Sequence, residues 1–262
     1  NADEVSQFGS YDLIVGADGV MSGVRAELAD LFKPELSTRT NRYIWFGTPH
    51  LFHGLTLTFR ENSAGVFAAH SYKFNRELST FIVECDEETW DSAGFRDMDD
   101  DATRRYIEQV FHLDLQGSPL LSNNSKWINF VMVRNRNWWS TIPKTNACAT
   151  LLGDSLATAH FSIGSGTKLA LEDAIALVHA LKAEGTVPDA LREFEAARRP
   201  IVEEYQEAAW ESLQFFENLK DYMHFDPLPF AYKLMTRSGK VDYENLKRRD
   251  ANFVNRYEEF TA

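Results

Sequence analysis

Two short stretches of the chain carry residue types that could grip a polar ligand, and both have the form strand, acidic turn, helix start. The first runs Gly16-Ala17-Asp18-Gly19-Val20-Met21-Ser22-Gly23-Val24-Arg25, directly after the apolar run Leu13-Ile14-Val15. The second is Gly153-Asp154-Ser155, which follows the buried-looking run from Ala147 to Leu152 and continues to Gly164-Ser165-Gly166-Thr167-Lys168. Each puts a carboxylate at the carboxyl end of a strand, where open α/β sheets bind ligands. An ionised aspartate only accepts hydrogen bonds, so Asp154 is suited to hold the hydroxyls of a sugar or polyol. Gly164 and Gly166 remove side chains just ahead of a helix, which lets backbone N–H groups and the positive helix end approach an anionic or electron-rich ligand edge. Taken singly, either stretch reads equally well as a tight strand-to-helix turn with a capping aspartate.

The elements that must position these turns follow from the hydrophobic period. Leu13 to Val15 form the continuous apolar run of a strand covered on both faces. From Tyr43 to Cys85 the texture alternates, with Leu55, Leu57 and Phe59 opposite Thr56 and Thr58, then Val66 to Phe74 and Thr80 to Val83, separated by turns at Gly65 and Asn75-Arg76-Glu77. This predicts a meander of antiparallel strands. Asp99-Asp100-Asp101 caps a helix over 102–111, and Trp127 to Val133 reads as a further strand. After Gly166 a stripe of Leu169, Leu171, Ala174, Ile175, Val178 and Leu181 predicts a helix. Another opens at Pro188, is interrupted or kinked at Pro200, and continues from Ile201 to about His224. The tail from Asp226 reads as polar with scattered apolar anchors.

Composition excludes several classes of function. With 27 Lys plus Arg against 39 Asp plus Glu, the net charge is −12, which opposes the phosphate neutralisation that nucleic-acid binding needs. The basic run Lys247-Arg248-Arg249 lies among Asp242, Glu244 and Asp250 and reads as a solvated face. Cys85 and Cys148 form no CxxC, and the 7 His form no HExxH, so neither a disulfide framework nor a protein-held metal is expected. No stretch approaches the roughly 20 apolar residues that span a bilayer, and the chain is expected to be cytoplasmic. The 19 Phe, 9 Tyr and 6 Trp would build a large core or line a pocket for a flat organic molecule.

Together the two acidic turns resemble the paired fingerprints of FAD-dependent aromatic monooxygenases with the para-hydroxybenzoate hydroxylase fold. Asp18, Gly19, Ser22 and Arg25 match the first motif; Gly153, Asp154, Gly164, Gly166 and Asp173 match the second. The text from His160 to Ala170, with Arg237-Ser238, Glu244-Asn245-Leu246 and Arg249-Asp250 in the tail, is similar to the subgroup of salicylyl-CoA 5-hydroxylase and 2-aminobenzoyl-CoA monooxygenase. Two departures stand out. Ser155-Leu156-Ala157 replaces the usual Ala-Ala-His, and Lys168 replaces the usual Asn, a replacement that recurs in the subgroup.

The resemblance implies an α/β (α+β) fold: a partial FAD-binding domain, an antiparallel-sheet substrate domain and C-terminal helices. Residues 1–37 would be a remnant of the FAD-binding domain, 38–145 the substrate domain, 146–200 the return of the FAD-binding domain and 201–262 a helical region. It implies FAD held by Asp18, Gly19, Ser22, Arg25, Gly153, Asp154, Gly164, Gly166, Thr167 and Lys168, with NAD(P)H and dioxygen as co-substrates and a flavin C4a-hydroperoxide as oxygen donor. The substrate would be an aromatic acyl-CoA. One wall of its pocket would come from Tyr43, Trp45, Phe46, Phe67, His70, Tyr72 and Phe74, with His70 a candidate proton acceptor. Arg42, Lys73, Arg76, Arg134 and Arg136 are candidate contacts for its phosphates. The family's Gly-x-Gly-x-x-Gly segment for the ADP half of FAD is not in the sequence, and the Asn1-Ala2 opening reads as a cloning remnant. The chain is therefore expected to be cut at both ends and to bind FAD poorly or not at all by itself. Two other readings are a non-catalytic scaffold that forms a homodimer through its C-terminal helices, and a flavin halogenase or isoprenoid-lipid reductase on the same fold.

Overall fold

The structure, a computed structural model, describes residues 11–183 and 185–261; the Asn1-Ala2 opening lies outside them. In chain order the elements are β1 (Leu13–Gly16), α1 (Gly23–Glu27), α2 (Ala29–Phe32), β2 (Pro34–Thr48), β3 (Thr56–Asn62), β4 (Gly65–Lys73) and β5 (Ser79–Cys85). Then come α3 (Glu87–Ser92), α4 (Asp100–Val110), α5 (His112–Leu115), β6 (Ile128–Asn135), β7 (Trp139–Thr141) and β8 (Cys148–Leu151). Helices α6 (Gly166–Ala183), α7 (Val187–Glu217), α8 (Pro227–Thr236), α9 (Tyr243–Arg249) and α10 (Ala251–Thr261) complete the chain. It has the mixed α/β character expected, and it divides into two compact units. The first comprises Asn1–Thr38, Val131–Leu213 and Ser238–Lys240; the second comprises Arg39–Phe130, Gln214–Arg237 and Val241–Ala262.

The first unit is built on a three-stranded sheet in the order β1-β8-β7. β1 runs parallel to β8, with Ile14 opposite Ala149 and Gly16 opposite Leu151, so the turns that follow both strands emerge at one end of the sheet. Ile14, Leu151, Leu177, Leu191 and Phe194 belong to its core, and the burial of such side chains supplies about 1.5–3 kcal/mol each. Arg198 ties α7 to α6 through Asp173 at 2.7 Å and Glu172 at 3.1 Å. Two expectations are corrected. The apolar stripe of α6 is buried only in part: Leu169 points inward with Asp173, Leu177 and Ala180, whereas Leu171 and Ile175 are 62% and 59% exposed. The 3.6-residue period allows either face, and the inward one is chosen by the Asp173–Arg198 pair together with Leu169 and Leu177. Pro200 lies inside a continuous α7. The helix is thus not interrupted there, although the proline removes one N–H and crowds the carbonyl four residues back; Arg198 and Arg199 flank it with ion pairs to Asp173 and Glu195.

The second unit holds β3, β4, β5 and most of β2, in a sheet of order β3-β4-β5-β2-β6. Adjacent strands in the meander are antiparallel, with Tyr43 opposite Glu84 and Ala68 opposite the same residue from the other side. One face, bearing Ile44, Phe46, Phe67, Phe81 and Val83, packs with Trp90, Phe95, Ile107 and Phe111. The opposite face carries Val66 and Ala68 against Phe215, Phe216 and Leu219. The tail expected to be polar forms three helices. Tyr232 and Tyr257 stack at 4.1 Å, and Lys247 pairs with Glu258 at 3.2 Å.

Gly65 sets the distance between β4 and α3. Its φ is +139°, and a Cβ there would stand 2.1 Å from Thr89 Oγ1. Gly65→Ala is expected to cost about 3 kcal/mol or more, since it adds overlap to backbone strain. Gly117→Ala, also at positive φ (+80°) but with nothing within 4 Å, should cost only about 1 kcal/mol. Urea denaturation of the two variants should separate them; equal losses would contradict the proposed close approach.

Candidate functional site

The sequence placed two carboxylates after two strands; the parallel register brings their turns to the same end of one sheet. The turn after β1 is organised by Asp18. Its Oδ1 accepts from Ser22 Oγ at 2.5 Å and its Oδ2 from Val24 N–H at 3.1 Å, while Ser22 Oγ accepts from Arg25 N–H at 2.9 Å as the N-cap of α1. Arg25, only 4% exposed, lies at the centre. Its Nη1 donates 2.9 Å to the carbonyl of Ser155, and Nη2 donates to the carbonyl of Val20. One guanidinium thus holds both acidic turns. A second tie runs the other way, from Ser155 Oγ to the carbonyl of Gly16 at 2.6 Å.

Gly153 allows the second turn to close. It has φ +60°, and a Cβ on it would approach Ala170 Cβ to 3.2 Å, so α6 can lie directly against the turn. Gly164 closes the following turn at φ +64°, and a Cβ on either Gly164 or Gly166 would meet nothing within 4 Å. The first turn of α6 therefore begins beside open space, with N–H groups that have no intrahelical acceptor. Ser165 is 4% exposed, and its hydroxyl has no partner among the described residues.

The two carboxylates have opposite electrostatic characters. Burial works to raise Asp18, but the hydrogen bonds from Ser22, Val24, Gly23 and its own N–H outweigh it and hold the group below the usual carboxylate range. Asp154 is exposed to solvent, and the partial burial it retains raises it; no group among the described residues donates to it. Asp18 is committed to the fold, whereas the acceptor capacity of Asp154 is unspent among the described residues. Arg25 is pulled down by burial and partly restored by the Asp18 charge.

The other site residues distribute as follows. Gly19, at φ +82°, forms the turn whose carbonyl accepts from Ser22 N–H at 3.1 Å. Thr167 is exposed in the first turn of α6. Lys168 directs its ammonium to Glu172 at 2.7 Å and Tyr205 Oη at 3.5 Å, and the hydrogen bond to Glu172 raises it. His70 lies in the second unit, 3% exposed. Its Nε2 is 3.2 Å from Glu84 Oε2, Glu84 Oε1 accepts from Asn41 Nδ2 at 2.9 Å, and its ring lies 4.7 Å from Phe216. Among the expected aromatics, Tyr43, Trp45, Phe46 and Phe74 line a cleft of about 870 Å³ in that unit. Phe67 packs into the helix-covered core, and His70 and Tyr72 are not among the cleft residues. Sequence reasoning missed Arg198, which clamps Asp173, and the double use of Ser155. No spacing announces either, because both partners are distant in the chain.

Comparison with known proteins finds no family model that matches. Over 268 residues the chain is 42% identical to salicyloyl-CoA 5-hydroxylase of a Streptomyces species, covering 97% of the chain and 50% of that protein. It is 36% identical over 228 residues to protodeoxyviolaceinate monooxygenase of Chromobacterium violaceum, covering 87% of the chain and 59% of that protein. Among solved structures it superposes on PqsL, a probable FAD-dependent monooxygenase from Pseudomonas aeruginosa, with TM-score 0.57 and 20% identity, covering 79% of the chain and 57% of PqsL. The chain is homologous to aromatic monooxygenases and has the fold of the FAD-dependent ones. The resemblance read from the two acidic turns is thereby borne out. The chain spans about half to three-fifths of the length of these relatives. Among the described residues no helix is long and apolar enough to cross a membrane, and no group of His, Cys, Asp and Glu could hold a metal.

The two aspartates should respond oppositely to neutralisation. A raised carboxyl opposes folding when ionised, and that cost disappears as pH falls through the carboxyl range. Asp154→Asn is therefore expected to raise Tm at pH 7, with the gap closing toward pH 4. The lowered Asp18 stabilises the fold above its unfolded pKa and loses that contribution as pH falls, so Asp18→Asn should lower Tm at pH 7. Calorimetry between pH 4 and 7 checks both; shifts of the same sign at pH 7 would contradict the assignment.

Proposed function

We propose that this chain is the part of an FAD-dependent aromatic-ring monooxygenase that holds the isoalloxazine side of the cofactor and the aromatic substrate. The observation that carries the reading is Arg25 bonded across to Ser155, which ties an open carboxylate and a fixed carboxylate together at one end of one sheet, with Gly153 packed against Ala170 of α6. The residues fit the cofactor's chemistry. Asp154 offers an acceptor without a donor of its own, matched to ribityl hydroxyls. The orphan N–H groups of α6 and the unpartnered Ser165 hydroxyl offer donors, matched to the carbonyl and ring nitrogens of the pyrimidine edge.

When bound, FAD supplies the activation of dioxygen for transfer to an aromatic ring, with NAD(P)H as the source of electrons. The chain's own residues do the rest. Asp18, Gly19, Ser22 and Arg25 keep the first turn in one conformation, and Gly153 lets Asp154 stand against α6. Gly164, Gly166 and Thr167 leave the helix start open, where its dipole favours negative charge. The Lys168 ammonium, held by Glu172 and Tyr205, adds positive charge in the same helical turn. The substrate is proposed to be an aromatic acyl-CoA, a reading supported by the 42% identity to salicyloyl-CoA 5-hydroxylase.

The natural polypeptide that carries these residues, purified without added cofactor, is expected to show a flavin absorbance spectrum and to oxidise NAD(P)H with oxygen in the presence of an aryl-CoA. Asp154→Ala should retain the fold by circular dichroism and lose most of the flavin. A colourless wild-type protein, or full flavin content in the variant, would contradict the reading.

A further inference from the structure

Just ahead of α6 the first unit carries a buried titratable side chain to which the site described above gives no role. His160 is 2% exposed, and it caps the single 3-10 turn Phe161–Ile163 that leads to Gly164. Its Nδ1 accepts from Ser162 N–H at 3.4 Å and lies 2.8 Å from Ser162 Oγ. Ser162 Oγ lies in turn 2.8 Å from Ser212 Oγ, on α7. Both serines are buried, so the three side chains form a row in the interior of this unit.

The donors in this row have only one consistent direction. A backbone N–H can only donate, so Nδ1 is the acceptor nitrogen of a neutral ring whose hydrogen sits on Nε2. Ser162 Oγ then donates its one hydrogen to Nδ1 and meets Ser212 with lone pairs alone, so the Ser212 hydroxyl donates to it. The order runs from Ser212 to Ser162 to His160. Removing a member strands a buried polar neighbour, which costs more than the bond itself contributes.

What the row holds is the turn that opens α6. Within that turn the N–H groups of Ile163 and Gly164 donate to the carbonyls of His160 and Phe161 at 3.3 and 3.0 Å. Those bonds shape the turn, and the Ser162–Ser212 bond ties it to α7. The His160 ring also backs the half-buried Phe161 ring, 4.1 Å between centroids. Ser165 follows one residue after Gly164, and its carbonyl accepts from Leu169 N–H at 2.9 Å, so a shift of the turn is passed directly to the first N–H groups of the helix. We propose that His160 is a positioning residue for the flavin: through Ser162 and Ser212 it fixes the 160–164 turn, so that the open N–H groups of α6 are aimed at the pyrimidine edge and stabilise the negative charge of the reduced ring. This role rests on the function given above and adds the side chains that aim the helix start.

FAD titration of the natural polypeptide, together with the reduction potential of the bound flavin, tests this. His160→Leu should weaken FAD about threefold to tenfold and shift the potential to a more negative value, because the reduced ring loses aligned donors. His160→Asn presents an amide oxygen about where the imidazole presents Nδ1, and Asn is itself a good cap, so it should restore most of both. Ser212→Ala leaves His160 and Ser162 in place and should shift the potential in the same direction by a smaller amount; it decides the matter if His160→Leu does not fold. A merely structural role would lower Tm in these variants without moving the potential. An unmoved potential in Ser212→Ala or in folded His160→Leu would overturn the proposal, as would a His160→Asn variant no better than His160→Leu. Nitrogen NMR of His160 reads the geometry with or without flavin: hydrogen on Nε2 and none on Nδ1 is expected, and a protonated Nδ1 would overturn it. Wild-type protein that takes up no FAD would defeat the monooxygenase reading and this role with it, whereas flavin-loaded protein with an unmoved potential in the variants would defeat this role alone.

Discussion

The Arg25 guanidinium is the point on which the candidate site turns. It is buried, and it spends its donors on the carbonyls of Val20 and Ser155, groups 135 residues apart in the numbering of the chain. A buried cation bonded to carbonyls is costly to form and more costly to break, because removing either side strands a polar group away from water. The parallel pairing of β1 with β8 brings the two turns near each other. Arg25 and the reverse bond from Ser155 to Gly16 convert that proximity into a defined geometry.

That geometry lets two chemically identical side chains act differently. Donors converge on Asp18 and stabilise its charge, so the first turn is fixed by it. Asp154 receives no such donors; it is exposed to solvent, and the partial burial that remains raises it. Its acceptor capacity is unspent at a place where helix N–H groups and the Ser165 hydroxyl are unspent as donors. A ligand that carries both hydroxyls and carbonyl oxygens satisfies both sets, which is the polarity pattern of a flavin with its ribityl chain.

Much of this was legible in the residues. The alternation of Leu57, Phe59 and Val66 to Phe74 marked β3 and β4, and the apolar runs before Gly16 and Gly153 marked β1 and β8 as strands, though not their pairing. The face of α6 was not legible. Leu171, Ile175 and Val178 are as apolar as Leu169 and Leu177, so period alone cannot say which set turns inward; the Asp173–Arg198 pair decides it. The continuity of α7 through Pro200 escaped for a similar reason, since the Arg198 tie beside it runs to Asp173 on α6. The motif residues Asp18, Ser22 and Arg25 were visible by type and spacing. The partner of Arg25 was a backbone carbonyl, which no sequence pattern displays. His70 drew attention as a titratable group on the aromatic sheet, and its place beside Glu84 and Phe216 depends on cross-strand register.

The central claim is that Arg25 couples two acidic turns and the start of α6 into one flavin-holding element. Hydrogen exchange of the natural polypeptide, with and without flavin, tests it most directly. Flavin should slow exchange in Gly16–Arg25, Gly153–Ser155 and Gly164–Lys168 together, and Arg25→Met should abolish that common protection. Protection of only one of these segments, or joint protection that survives Arg25→Met, would contradict the account.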